Sequence, residues 1–81
     1  MQTGRVLTEA EKDVLAFERS WWEHRASKDA AIRSRFGTEA AAYYRALNAL
    51  LDRPEALGHD PLLVRRLRRL RAARLARRRS A

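Results

Sequence analysis

The chain has no cysteine, one methionine, two prolines and three glycines in 81 residues. The missing cysteines exclude a disulfide framework and any thiolate metal site. Gly4, Gly37 and Gly58 lie too far apart to form a phosphate-cradling loop. No apolar run approaches the ~20 residues needed to span a bilayer, and the N-terminus lacks the apolar stretch of a secretion signal. The expectation is a cytoplasmic protein without a membrane partner. Histidine is equally scarce. His24 and His59 are distant in sequence, and neither has a second histidine or a carboxylate at i+3 or i+4. Ser20, Ser27 and Ser34 lack a recognisable nucleophile context. An enzyme is not expected, nor is any cofactor or metal.

One absence carries more than the others. From Pro61 to Ala81 there is no aspartate or glutamate, while nine of the eighteen basic residues fall there: Arg65, Arg66, Arg68, Arg69, Arg71, Arg74, Arg77, Arg78 and Arg79. Residues 1–60 hold the other nine basic residues and all ten acidic ones, a balance of −1, so the net +8 belongs to this terminal arm. A polyanion is the partner such asymmetry serves, and nucleic acid is the commonest one in a cell. The sixteen arginines against two lysines, beside fifteen alanines, fit a GC-rich coding bias. Such a bias does not gather the arginines at one end.

Four helical segments are expected, and no strand: a small all-α, four-helix domain spanning 8–71, after a short tail over 1–7. Thr8 and Glu11 form a capping box for a helix running to about Arg25, with Ala10, Val14, Phe17 and Trp21 on one face. Leu15 and Trp22 lie beside that face. Glu18 falls between the two apolar groups and reads either as a partly desolvated carboxylate paired with a later arginine or as a solvated side chain. Trp21 reads as core. Trp22, beside that face, is expected to be partly exposed, which would leave its ring open to a base or a dimer contact.

Ser27 caps a second helix, Lys28–Phe36, with Ala31, Ile32 and Phe36 inward and Gly37 ending it. Thr38 is expected to cap a third helix reaching about Asp52, with Tyr43, Leu47, Leu50 and Leu51 buried. Pro54 through Leu57 suggests a single turn. Asp60-Pro61 is an N-cap followed by proline at the first helical position of the fourth helix. There Leu63, Leu67 and Leu70 form a stripe too short for a zipper, with Arg65, Arg68 and Arg69 away from it. Residues 72–81 have no apolar face and are expected to fray when free.

The stretch 28–52 reads as a helix-turn-helix-like unit. Ile32 and Phe36 would plug its first helix into the core, and Tyr43 and Leu47 would fix the second. That leaves Glu39, Ala40, Ala41, Tyr44, Arg45 and Asn48 outward. Arg45 and Asn48 suit guanine and adenine edges in a major groove, and Tyr44 suits a phosphate. Two features run against the pattern. Arg33 stands where such units carry a small residue, and Glu39 would face phosphates unfavourably.

Five runs carry a resemblance. They are Phe17-Glu18-x-x-Trp21-Trp22, Lys28-Asp29-x-Ala31-Ile32-Arg33-x-x-Phe36-Gly37 and Tyr43-Tyr44-x-x-Leu47-Asn48-x-Leu50, then Asp52-x-Pro54-x-Ala56-Leu57 and Asp60-Pro61-x-Leu63-Val64-x-Arg66-Leu67-Arg68-Arg69. In combination, over about residues 8–71, the chain resembles a family of small actinobacterial proteins of unassigned function. That family usually has Met-Ser after the glycine, where this chain has Thr38-Glu39. The resemblance implies an all-helical intracellular protein and no particular activity.

Two functions are therefore weighed. The first is a small DNA-binding protein, of regulator or nucleoid-associated type, in which Tyr44, Arg45, Asn48 and the nine arm arginines contact double-stranded DNA. RNA shares the arm argument, and a homodimer is compatible with paired half-sites. The second is a protein-interaction module whose basic arm grips an acidic partner of the transcription or translation machinery, motivated by the weakly basic second helix with its Glu39.

Overall fold

The computed structural model describes residues 6–21 and 27–80. The expectations placed on Trp22, His24 and the stretch to Arg25 lie outside the described residues. Five helices follow in order: α1 Glu9–Ser20, α2 Lys28–Phe36, α3 Ala40–Leu51, α4 Pro54–His59 and α5 Pro61–Ser80. No strand occurs among the described residues, so the domain is all-α. The turn expected at 54–57 is a helix in its own right, carried to His59, with Pro54 in its first turn where the missing N–H costs nothing.

Local chemistry sets most boundaries. The Thr8 backbone N–H donates to Glu11 Oε1 at 2.8 Å, and the Glu11 N–H donates to Thr8 Oγ1 at 3.1 Å, closing the capping box. Ser27 Oγ accepts from the Ala30 N–H at 3.2 Å. Gly37 ends α2 in the left-handed region at φ 66°, its N–H returning to the Arg33 carbonyl. The cap of α3 is a correction. Glu39, in extended conformation, occupies the N-cap position in place of Thr38 and makes no side-chain cap bond.

The core joins Leu15 and Phe17 of α1, Ile32 of α2, and Tyr43, Leu47, Leu50 and Leu51 of α3, with Ala56, Leu63 and Val64. Leu7, placed in the tail by the sequence, is buried with them. Phe17 meets the rings of Phe36 and Tyr43 edge-on at 5.4 and 5.6 Å, a geometry that favours aromatic pairs.

Glu18 is buried, which settles one of its two readings, but its partners differ from the arginine expected. Lys28 Nζ lies 3.0 Å from Oε1, and the Tyr43 hydroxyl donates to Oε2. Both carboxylate oxygens are thus satisfied inside the core, as a buried charge requires. Burial, reinforced by Glu18, pushes the Tyr43 phenol far above its ordinary value.

The seating of α5 departs from the leucine stripe. Val64 is fully buried and Leu63 nearly so, and Leu67 packs against the core, but Leu70 is 48% exposed. The inward row runs Val64, Arg68, Arg71. Arg68 Nε donates to the Leu51 carbonyl at 2.7 Å, and Arg71 donates to the Asn48 carbonyl at 3.2 Å and to Asp52 at 2.7 Å. The cause lies in α3. Its last carbonyls have no intrahelical donors and carry the negative end of the helix dipole, and two guanidinium groups answer both needs. Arg68, placed away from the body by its wheel position, is in fact turned onto it.

Residues 72–80, expected to fray, continue α5 as helix to Ser80. Ala72, Ala73 and Ala76 alternate there with arginine, and both residue types are strong helix formers. Arg77, Arg78 and Arg79 in the last turn also suit the dipole. Every residue from Ala72 to Arg79 is exposed, so this last stretch, about 13 Å at ~1.5 Å per residue, overhangs the body.

Candidate nucleic-acid interface

The arm residues separate into two groups once α5 is seated. Arg68 and Arg71 hold the C-terminal end of α3. Arg65, Arg66, Arg69, Arg74, Arg77, Arg78 and Arg79 are exposed, and none has a carboxylate within 4 Å among the described residues. The body behaves differently. Lys12 pairs with Glu9, Arg19 with Asp60, Lys28 with Glu18, Arg33 with Glu39, Arg35 with Asp13, and Arg53 with Glu11 and Glu55. Asp60 keeps its place at the head of α5, its carbonyl accepting from the Val64 N–H at 3.0 Å, while Arg19 Nε holds its carboxylate at 3.1 Å.

The α3 residues are also divided. Arg45 and Asn48 are exposed, and Ala41 beside them is exposed and small. Tyr44 is half-buried, its ring edge-on to Tyr43 at 5.3 Å and capped by Lys28 Nζ at 5.2 Å from its centroid. Ala40, expected outward, packs partly against the core. Arg33 is exposed and reaches Glu39 at 3.9 Å, so it neither obstructs the approach of α2 to α3 nor leaves Glu39 wholly uncompensated.

Tyr44, Asn48, Arg66, Arg71 and Arg74 come together along one groove of about 350 Å3 between α3 and α5. Arg45 lies just outside it. Arg65 and Arg69 fall on the far side of α5, roughly 140–180° from Arg74 at ~100° per residue. The sequence reading missed three members of the groove, Glu18, Lys28 and Trp21. Lys28 Nζ sits 5.0 Å from the Trp21 ring centroid while pairing with Glu18. A faint signal existed. Lys28 is one of two lysines in an arginine-rich chain, and its compact ammonium on a flexible stem meets the Glu18 carboxylate and both rings at once.

His59 is exposed in the last turn of α4. Among the described residues, no group of three or more histidines, cysteines or carboxylates is placed to hold a metal ion, and no helix is long and apolar enough to cross a membrane. With this geometry in place, the comparison with protein families decides the kinship. The profile described as "Protein of unknown function (DUF3263)" matches residues 6–79. The chain belongs to the DUF3263 family. The match takes in the body and nearly all of α5, so the arginine helix lies within the matched region. No curated protein and no solved structure matches the chain.

Proposed function

We propose that this DUF3263 protein is a small DNA-binding protein in which α5 supplies most of the affinity. The observation that carries the reading is the contrast between a body whose described cations, Arg45 excepted, are paired and a helix with seven exposed arginines that no carboxylate answers among the described residues. Such a helix repels itself, with Arg74–Arg78 and Arg65–Arg69 four residues apart, each like pair costing about 0.2–0.5 kcal/mol. Phosphates relieve that cost, and release of their counterions drives binding.

Shape supports duplex DNA. A helix about 10–12 Å across matches a major groove about 12 Å wide. On the overhang Arg74, Arg77, Arg78 and Arg79 spread over about 200° of the wheel, enough to reach phosphates on both walls. The α2–Gly37–α3 unit serves as the helix-turn-helix-like reader, presenting Arg45 and Asn48 to base edges. On this reading the protein acts at the nucleoid of an actinobacterial cell, as a regulator or nucleoid-associated protein.

The test is fluorescence anisotropy with labelled duplex DNA over a range of salt, using the full chain and one lacking residues 72–81. No residue of the overhang belongs to the core, so the shortened chain keeps its body. Four to five phosphate contacts give a log–log salt slope of about −4 at ~0.9 per contact, falling to about −2 on truncation. An absence of binding at low salt, or a slope indifferent to the truncation, defeats the reading. Arg45→Ala and Asn48→Ala are expected to change preference among sequences, whereas the truncation weakens all sequences alike.

A further inference from the structure

The groove between α3 and α5 is not explained by phosphate binding. Its floor is apolar, with Leu47 and Leu51 of α3 and Leu67 of α5. On its outer lip Arg66, Leu70 and Arg74 stand four residues apart, one row along the helix, covering about 12 Å at ~1.5 Å per residue. Leu70 is half exposed between two cations that have no carboxylate partner among the described residues. A phosphate backbone has no use for a leucine in the middle of that row.

From this we infer that the groove docks an acidic amphipathic helix of a partner protein, laid along α5. The occupant mirrors the lip: a large apolar side chain enters beside Leu70, and carboxylates four residues to either side meet Arg66 and Arg74. Charge complementarity fixes orientation and raises the encounter rate, and the leucine contact supplies the anchor. The alternative occupant, an unstacked nucleotide, needs open ring faces. The Trp21 and Tyr44 rings are already bridged by Lys28, which Glu18 holds at 3.0 Å. The inference does not depend on DNA binding by the overhang. If both hold, the acidic helix and the duplex compete for Arg74, which lines the groove and belongs to the overhang.

The experiment uses three probes on the full chain, read by calorimetric titration. One is a blocked helical peptide with glutamate four residues before and four after a leucine, on an alanine background. The second has the leucine moved by two positions, and the third is a short oligothymidine. The matched peptide is expected to bind. The shifted peptide, and Leu70→Gln with the matched one, are each expected to bind about tenfold more weakly. Leu70→Gln leaves the arm's charge intact, so its affinity for duplex DNA is expected to stay unchanged. That separates failure here from failure of the DNA reading. Arg66→Gln provides a second variant on the same lip. Equal binding of both peptides would show charge attraction alone and overturn the inference. So would no peptide binding, or oligothymidine binding that Leu70→Gln abolishes.

Discussion

Up to Asp60 the described chain answers its own charges, and beyond it the chain does not. In the body every described lysine and arginine except Arg45 lies beside a carboxylate. In α5, among the described residues, only Arg71 does, and Arg68 is satisfied by a carbonyl. The difference is not one of exposure, because Arg33 and Arg35 are as open to solvent as many arm residues. It is one of supply, since no acidic residue follows Asp60. Charge that a fold leaves unanswered is available for binding, and charge it answers is committed to holding the fold.

The sharpest break of that comparison lies in the body's one buried pair. Glu18→Ala strands the Tyr43 hydroxyl in the core and leaves the groove-lining Lys28 ammonium without its carboxylate, at an expected cost of about 3 kcal/mol, the low end for breaking a buried pair. For a domain this size that lowers Tm by more than about 10 °C, measurable by circular dichroism. Loss of only a degree or two would mean that water reaches the site. The complementary break is in the arm. Replacing Arg74, Arg77, Arg78 and Arg79 together by glutamine keeps the helix and removes four of its nine charges. Tm is expected to hold, while duplex affinity falls by a few tens-fold at physiological salt, from about two lost phosphate contacts.

Two neighbours on α5 sharpen the division further. Arg68→Ala removes the donor to the Leu51 carbonyl and is expected to cost about 1 kcal/mol, a Tm drop of some 4–8 °C, with the salt slope unchanged. Arg69→Ala, one residue along, is expected to do the reverse: no change in Tm, and a slope shallower by up to about 0.9. Should both variants behave alike, the split between structural and binding arginines is wrong.

That split shows where the sequence was readable. The Thr8–Glu11 box, the Ser27 cap and the Gly37 stop were legible because each is settled within three residues. Ile32, Tyr43, Leu47 and Leu51 were legible because helical periodicity alone separates an inward face from an outward one. The seating of α5 was not. Arg68 and Arg71 face inward because the end of α3 happens to lie beneath them, and no periodicity in α5 reports where another helix ends. The same limit hid the partner of Glu18, since Lys28 lies across an interhelical connection. It also hid the groove, whose two walls come from helices that the sequence treats separately. Of the proposed contacts, the unpaired arginines were visible as composition, whereas their neighbourhood required the fold.

Acid titration separates the two regions with the smallest effect. The backbone N–H of Thr8 donating to Glu11, aided by Arg53, holds that carboxyl below its ordinary value. A lowered folded pKa means the stabilisation is complete above the ordinary carboxylate range. It is lost as pH falls through the lowered value, where the folded state too becomes protonated. The capping box contributes on the order of 1 kcal/mol, so Glu11→Ala should lower stability by about that amount at neutral pH and flatten the acid limb of a stability–pH curve. The α5 helix holds no carboxylate, and Arg68 donates to a backbone carbonyl. Hydrogen exchange at pH 3 is therefore expected to show α1 opening before the Leu63–Arg68 segment of α5. The opposite order would mean that the arm's own repulsion, and not the body's lost pairs, sets the weakest point of the fold.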